Sequence, residues 1–270
     1  MKRAGMQAYF VAGNDSYLGA GRFSRAWDID AVREVPEFRP VGEVVADLVF
    51  DKADFAGRDV PVVTDQKVRE ACNKAETYRR FGKYQPETVL CADEDQLQAA
   101  IRQMPGDMVV VKNPAGSGGK RVYIDKKASI QIPSDETYPL LVQEFIDMTD
   151  GVPGIVDGPH DLRVLIAGGT ITGGTLRQPM AGKLHANTGQ GGSLRLLAAE
   201  EIPEEVRHLA LAIDKEFDGV PRYYSTDFAR GKNGWRLIEL NTKPGLYYKT
   251  EGSLADQHMQ NFVNYIMSLV

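Results

Sequence analysis

The chain has 270 residues, enough for one or two domains with a closed core. Its 43% hydrophobic and 26% charged residues are ordinary globular composition, which argues against long disorder, and a net charge of −5 lacks the basic excess of a nucleic-acid binder. No apolar run nears the ~20 residues that span a bilayer, no signal-peptide core follows the basic start Met1–Gln7, and Cys72 and Cys91 are too few for a disulfide framework or a zinc site, so a cytoplasmic location is expected.

Residues 1–60 read as a short N-terminal region of strands and irregular turns: Ala8–Ala12, a loop from Gly13 to Gly21, then Val44–Phe50. Thr64 predicts the N-cap of a helix running to about Phe81, with Val68, Ala71, Cys72, Ala75 and Tyr78 at helical spacing. A second helix starts at Asp93, whose spacing to Gln96 is that of a capping box, and buries Leu97, Ala100, Ile101 and Met104. Strands follow at Met108–Lys112, Arg121–Ile124 and Leu140–Ile146. Leu162–Ala167 and Thr170–Leu176 meet at Gly168-Gly169, a two-residue hairpin signal. Glu204–Phe217 is helical, and Tyr223–Ala229 with Trp235–Leu240 forms a hairpin about Asn233-Gly234. A last helix, about Ala255–Leu269, carries a core stripe of Met259, Phe262, Val263, Ile266, Met267 and Val270. Such alternation predicts an α/β or α+β enzyme.

The stretch Val109–Ile124 holds the densest chemical signal. Three familiar loops fail on it. A Walker A loop needs Gly where Pro114 stands and Ser or Thr where Arg121 stands; a dinucleotide fingerprint from Gly116 needs Gly at Arg121; a nucleophile elbow around Ser117 meets Ala115 in place of its first Gly. What remains is strand, small-residue loop, strand. Gly116, Ser117, Gly118 and Gly119 let backbone N–H groups approach an anion, toward which Lys112 could extend its ammonium; the competing reading is a plain surface hairpin.

Period 2 puts Glu239 and Asn241 on one face of their strand, with Ile238 and Leu240 toward the core. Asp227 and Glu239 are equidistant from Asn233, so a hairpin centred there sets them side by side. Those three oxygen-bearing side chains repel one another unless a cation lies between them, and hard oxygen donors suit Mg²⁺ bridging nucleotide phosphates. A solvated strand face is the alternative.

With these pieces in order, residues 61–250 resemble the ATP-grasp superfamily, closest in pattern to its glutathione synthetase and ribosomal-protein glutamate ligase (RimK-like) branch. Lys74 and Lys112 match its two phosphate-binding lysines, and Gly116–Gly119 its mobile flap. Gln143-Glu144-Phe145-Ile146 resembles the strand that reads the adenine edge. Asp161-Leu162-Arg163, the later Arg177, Asn187 with Gly191-Gly192, and Glu239-Leu240-Asn241 before Pro244-Gly245 complete the series. The resemblance implies an α+β ATP-grasp fold: a short pre-ATP-grasp region (1–60), a central subdomain with the flap (61–146) and a C-terminal subdomain with the metal site (147–270). It implies a carbon–nitrogen ligase that uses ATP and two Mg²⁺ ions, with Mn²⁺ as the substitute. ATP phosphorylates a carboxylate, and an amine displaces the phosphate to give an amide. Asp227, Glu239 and Asn241 hold metal; Lys74 and Lys112 hold phosphates; Arg163, Arg177 and Asn187 serve the acyl phosphate; Asp161, in competition with Asp147, contacts the ribose.

Substrates are expected to be small-molecule or peptide carboxylates and amines, with nucleic acid and membrane excluded and homo-oligomerisation left open. His185 stands where related ligases often have Arg, which makes it a substrate candidate as well as a plain hairpin histidine. The connector Met148–His160 is longer than the pattern needs, and residues 1–60 are shorter than the usual N-terminal domain. Cys72 reads as an inert core thiol, and Trp27, Tyr247 and Tyr248 as buried aromatics or pocket walls. Two rival functions use the same site: an ATP-binding regulatory or scaffold protein without the ligase step, and a kinase acting on a non-carboxylate acceptor.

Overall fold

The computed structural model describes residues 7–11, 14–30, 37–51, 59–116, 118–180, 192–245 and 253–270. Three antiparallel sheets follow one another along the chain. The first gathers β1 (Tyr9–Val11), β2 (Tyr17–Gly19), β3 (Arg22–Asp30) and β4 (Glu37–Val45) about β3. The spacing predicted only β1 and the end of β4 here, because bulges at Phe23–Ala26 and Ala26–Trp27 break the alternation of β3, and Pro40 and Gly42 disguise β4. Trp27 pairs with Phe10 across this sheet, ring centroids 6.1 Å apart.

The expected helix to Phe81 is two helices, α1 (Gln66–Ala71) and α2 (Lys74–Phe81). Asp65, not Thr64, caps α1 by accepting from the Lys67 N–H at 2.7 Å, whereas the Thr64 hydroxyl donates to the Tyr223 carbonyl. Asn73 begins the chain afresh: its Oδ1 accepts from Ala75 N–H at 2.9 Å and caps α2. Val68, Ala71 and Phe81 pack into the core under the five-stranded sheet described below.

The central sheet has the order β5–β8–β6–β7, from Thr88–Cys91, Leu140–Glu144, Met108–Lys112 and Val122–Lys126. Helix α3 (Glu94–Gln103), capped by Asp93 as expected, lays Leu97, Ala100 and Ile101 against it, with Met104 just beyond its end. Burying side chains of the Leu or Ile type stabilises by ~1.5–3 kcal/mol each.

The third sheet runs β11–β10–β9–β12–β13, from Ser193–Leu197, Thr170–Gln178, Asp161–Ala167, Tyr223–Gly231 and Gly234–Asn241. Gly168 (φ +54°) and Gly169 (φ +90°) supply the left-handed turn between β9 and β10. Alternation sorts the strands. Leu162, Val164, Ile166, Leu176, Phe228 and Leu237 face a core shared with α4 (Glu204–Asp214), while Asp161, Arg163, Arg177 and Asp227 occupy the other face. On α5 (Ser253–Met267), Phe262, Val263 and Ile266 are buried, but Met259 and Met267, and Val270 past its end, are exposed, so the buried stripe is narrower than its spacing suggested. Among the described residues no helix is long and apolar enough to cross a membrane.

Candidate active site

A cleft of about 420 Å³ lies between the central sheet and the open face of the five-stranded sheet. Lys74, Lys112, Gly118, Gly119, Gln143, Glu144, Phe145, Ile146, Asp161, Arg163, Arg177, Glu239 and Asn241 all line it. Residues from positions 74 to 241 thus converge on one space. Gly116 stands beside it and Asp227 is buried in its floor; Ser117, His185, Asn187, Tyr247 and Tyr248 lie outside the described residues.

The break at Asn73 makes Lys74 the first residue of α2. Its Nζ donates to the Gly116 carbonyl and lies 3.8 Å from the Glu239 carboxylate, so it spans from the flap to β13. Lys112 ends β6 and donates to Gln143 Oε1 at 2.6 Å. Burial pushes its pKa down to about 8; Lys74 adds to that fall, while Glu239 and Asp161 oppose it. The flap springs from paired backbone: Asn113 N–H donates to the Arg121 carbonyl and Gly116 N–H to the Asn113 carbonyl, both at 3.0 Å. A Cβ on Gly116 would lie 2.5 Å from the Lys120 carbonyl oxygen, so only glycine fits. Glu136 binds both roots, accepting from Asn113 at 2.8 Å, from Arg121 at 2.7 Å and from the Tyr123 hydroxyl.

On the facing sheet, Arg163 grips Asp227 with a two-pronged fork, Nε to Oδ1 at 2.7 Å and Nη2 to Oδ2 at 2.6 Å. Arg177 Nη2 donates to Asp227 Oδ2 at 2.7 Å and also to Asp161. Burial alone would raise the Asp227 pKa; the two guanidiniums overrule it and hold the carboxylate ionised. Asp161 moves the other way, raised by burial and by the nearby Asp227. Arg163 therefore pairs with Asp227 across the strands, not with Asp161 on its own strand.

This corrects one expectation. The acidic cluster does not need a metal to be stable, because Arg163, Arg177 and Lys74 already neutralise it. The Cys72 thiol beside it is pushed up by burial, first, and by Glu239 and Asp227, and stays an unreactive S–H.

Asp227 does stand opposite Glu239, by a route the sequence did not show. Gly231 pairs with Gly234, so the turn is Lys232-Asn233, and a regular ladder would set Asp227 against Ile238 and turn Glu239 into the core. A β-bulge between the Phe228–Leu237 and Asp227–Glu239 pairs inserts one residue. Glu239 and Asn241 consequently reach the cleft, and Ile238, expected in the core, lines the cleft as well.

Asn241 Nδ2 donates to Asp227 Oδ2 and Glu239 Oε1, both at 3.2 Å, which leaves its Oδ1 and the second Glu239 oxygen as hard donors. That pair fits Mg²⁺ shared with phosphate oxygens. Among the described residues no group of three or more His, Cys, Asp or Glu side chains could hold a metal alone. Arg177 Nε and Asp161 Oδ1 are buried without a hydrogen-bond partner.

Apolar walls escaped the sequence pattern: Val110, Val122, Ile124, Met148 and Ile238 line the cleft beside Phe145 and Ile146. Val110 was within reach, since it lies two residues before Lys112 and pairs with Ile124. The connector 148–160 also gains a role. His160, whose pKa burial lowers, donates from Nδ1 to the Gly158 carbonyl at 3.0 Å and accepts the Arg230 N–H at Nε2 at 3.1 Å. It pins the connector to β12 next to Asp161.

A nucleotide-sized slot with an apolar end, a glycine flap, two lysines and a carboxylate–arginine floor, set between two antiparallel sheets, defines the ATP-grasp class. The model of the RimK-like ATP-grasp domain matches residues 73–263, and the chain belongs to that family. A protein of Psychromonas ingrahamii named "Probable alpha-L-glutamate ligase" is 26% identical over 190 residues, 68% of this chain and 58% of that protein. The chain thus spans less than two thirds of that relative's length. D-alanyl-alanine synthetase A of Vibrio cholerae O1 biovar eltor superposes with a TM-score of 0.60 at 13% identity, over 97% of this chain and 81% of that one. The ATP-grasp ligase PsnB, solved with a phosphomimetic variant of its minimal precursor, Mg and ADP, superposes with a TM-score of 0.52 at 15% identity, over 78% and 63%.

Proposed function

We propose that this protein is a cytoplasmic ATP-dependent carbon–nitrogen ligase that joins a small-molecule or peptide carboxylate to an amine through an acyl phosphate. The observation that carries this is the meeting, in one cleft, of Lys74 and Lys112 with Arg163, Arg177, Glu239 and Asn241. Nucleotide binding alone does not need the two arginines. In this account residues 1–60 form a pre-ATP-grasp region, and 61–146 and 147–270 supply the two sides of the nucleotide cleft.

Phosphoryl transfer depends on positioning and charge neutralisation more than on covalent help from the protein. Val110, Ile124 and Met148 take the adenine, with backbone contacts from the Glu144–Ile146 stretch, and Asp161 is the ribose contact. Lys74 and Lys112 hold the phosphates while Gly116–Gly119 closes over them. Glu239 and Asn241, with Asp227 behind them, hold Mg²⁺ (Mn²⁺ as substitute), which when bound neutralises charge on the transferring phosphoryl group. Arg177, whose guanidinium lines the cleft, serves the acyl phosphate and the oxyanion that follows amine attack. Arg163 fixes Asp227; Asn187 is the further candidate for serving the acyl phosphate, and His185 the candidate for the substrate.

The test is incubation with ATP, Mg²⁺ and pairs of amino acids or short peptides, one carrying ¹⁸O in its carboxylate. Release of ADP, a new amide of matching mass and ¹⁸O in the phosphate are expected. A phosphorylated product without amide would point to a kinase, and binding without ADP release to a regulatory protein; either overturns the proposal.

A further inference from the structure

From the cleft wall a hydrogen-bonded chain runs from Lys112 through Gln143 into the central sheet, ending at Thr88 and Pro86 outside the cleft lining. Lys112 Nζ donates to Gln143 Oε1 at 2.6 Å, Gln143 Nε2 donates to Thr88 Oγ1 at 2.9 Å, and Thr88 Oγ1 donates to the Pro86 carbonyl at 2.7 Å. Gln143 is 4% exposed and Thr88 9%, so water does not compete for these bonds. We propose that Thr88 is a positioning residue for Lys112, acting through the side-chain amide of Gln143.

The chemistry fixes the direction of the chain. An ammonium has only donors, so the amide atom facing it must be the oxygen. The amide nitrogen then needs an acceptor on its far side. Thr88 can accept only if its single proton is used elsewhere, and the Pro86 carbonyl takes that proton. Removing the hydroxyl frees the amide to turn, and a turned amide sets N–H against N–H at Lys112. Pairing of Thr88 with Gln143 on β5 and β8, and of Gln143 with Val110 on β6, keeps the three strands in register for this relay. With one ammonium proton committed to Gln143, two remain for an anion in the cleft. The charged groups that act on Lys112 from the opposing elements are Lys74, Asp161 and Glu239.

The proposal rests on Lys112 being a phosphate-binding lysine, and a double-mutant cycle separates the two ideas. Binding of the Mg²⁺ complex of a non-hydrolysable imido analogue of ATP is measured by calorimetry. Thr88→Val keeps the shape and should weaken binding about tenfold, while Thr88→Ser, which keeps the hydroxyl, stays within about twofold of the parent. In a Lys112→Met background, Thr88→Val should add less than about a twofold effect. Thr88→Ala, matched to the parent by thermal melting, must repeat that coupling should Thr88→Val fold poorly. Parent-like binding by the valine or alanine variant, or an equal loss with and without Lys112, overturns the proposal. A Lys112→Met protein that binds as the parent does overturns the phosphate role itself, and the relay with it.

Discussion

Lys112 is pulled two ways. Its apolar surroundings push the ammonium toward about pH 8, whereas a triphosphate in the cleft would pull it back. The protonated fraction of the free protein falls as pH rises through that value, so ATP binding weakens above it and takes up a proton. KM for ATP should therefore climb from about pH 8 upward, approaching tenfold per unit; a flat profile between about pH 7 and 9 would contradict the assignment. Glu239 gives a second test at this scale. It is partly buried but lightly bonded, unlike Asp227, so Glu239→Ala should cost at least about a hundredfold in Mg²⁺-dependent ADP release while the melting temperature moves by less than about 3 °C. Thermal melts and turnover at several Mg²⁺ concentrations check it. Both residues were legible in the sequence because Lys112 closes an apolar strand run before the glycine-rich loop and Glu239 sits in the Glu-Leu-Asn pattern before Pro244-Gly245. Thr88 was not, since its partners belong to other strands and only the folded sheet shows which way an amide must face.

Among the elements, the flap hairpin makes the clearest claim. Arg121 first, then Tyr123 and Asn113, hold the Glu136 carboxylate at about 2 against the opposing pull of burial, well below its ordinary 4.5. A carboxylate depressed in the folded state contributes stability above its unfolded pKa and loses it as pH falls through the folded one. Urea midpoints of the parent should therefore drop between about pH 4.5 and 2, and Glu136→Gln should flatten that slope; identical slopes would refute the clasp. Gly116→Ala drives a Cβ into the Lys120 carbonyl and should reduce ATP turnover about tenfold or more without a comparable loss of stability. Equal turnover by the alanine variant would remove the flap from the mechanism. The element pattern shows where sequence spacing succeeds and where it fails. Asp227 and Glu239 were paired from spacing, yet the pairing depends on a bulge at Ile238 that spacing does not reveal. The break at Asn73 hid inside an unbroken apolar stripe, although Asn73 is a residue type that caps helices. The N-terminal strands were obscured because bulges in β3, at Phe23–Ala26 and Ala26–Trp27, break its alternation, and Pro40 and Gly42 interrupt β4.

For the whole molecule, the account comes down to two sheets and what they hold between them. One brings Lys112, Gln143 and the flap; the other brings Asp161, Arg163, Arg177, Glu239 and Asn241, and Lys74 at the start of α2 bridges the two. Sequence motifs in the right order anticipated this convergence for the residues the structure describes, from Lys74 to Asn241. The substrate side was harder to read: its one candidate, His185, rested on a departure from the family pattern rather than on a motif, and it lies outside the described residues. The most direct measurement is calorimetric titration of the intact protein with the Mg²⁺ complex of a non-hydrolysable ATP analogue, beside Lys74→Met and Glu239→Ala. The account predicts one saturable site per chain, weakened at least about tenfold by each substitution. No binding by the parent, or undiminished binding by both variants, would contradict it.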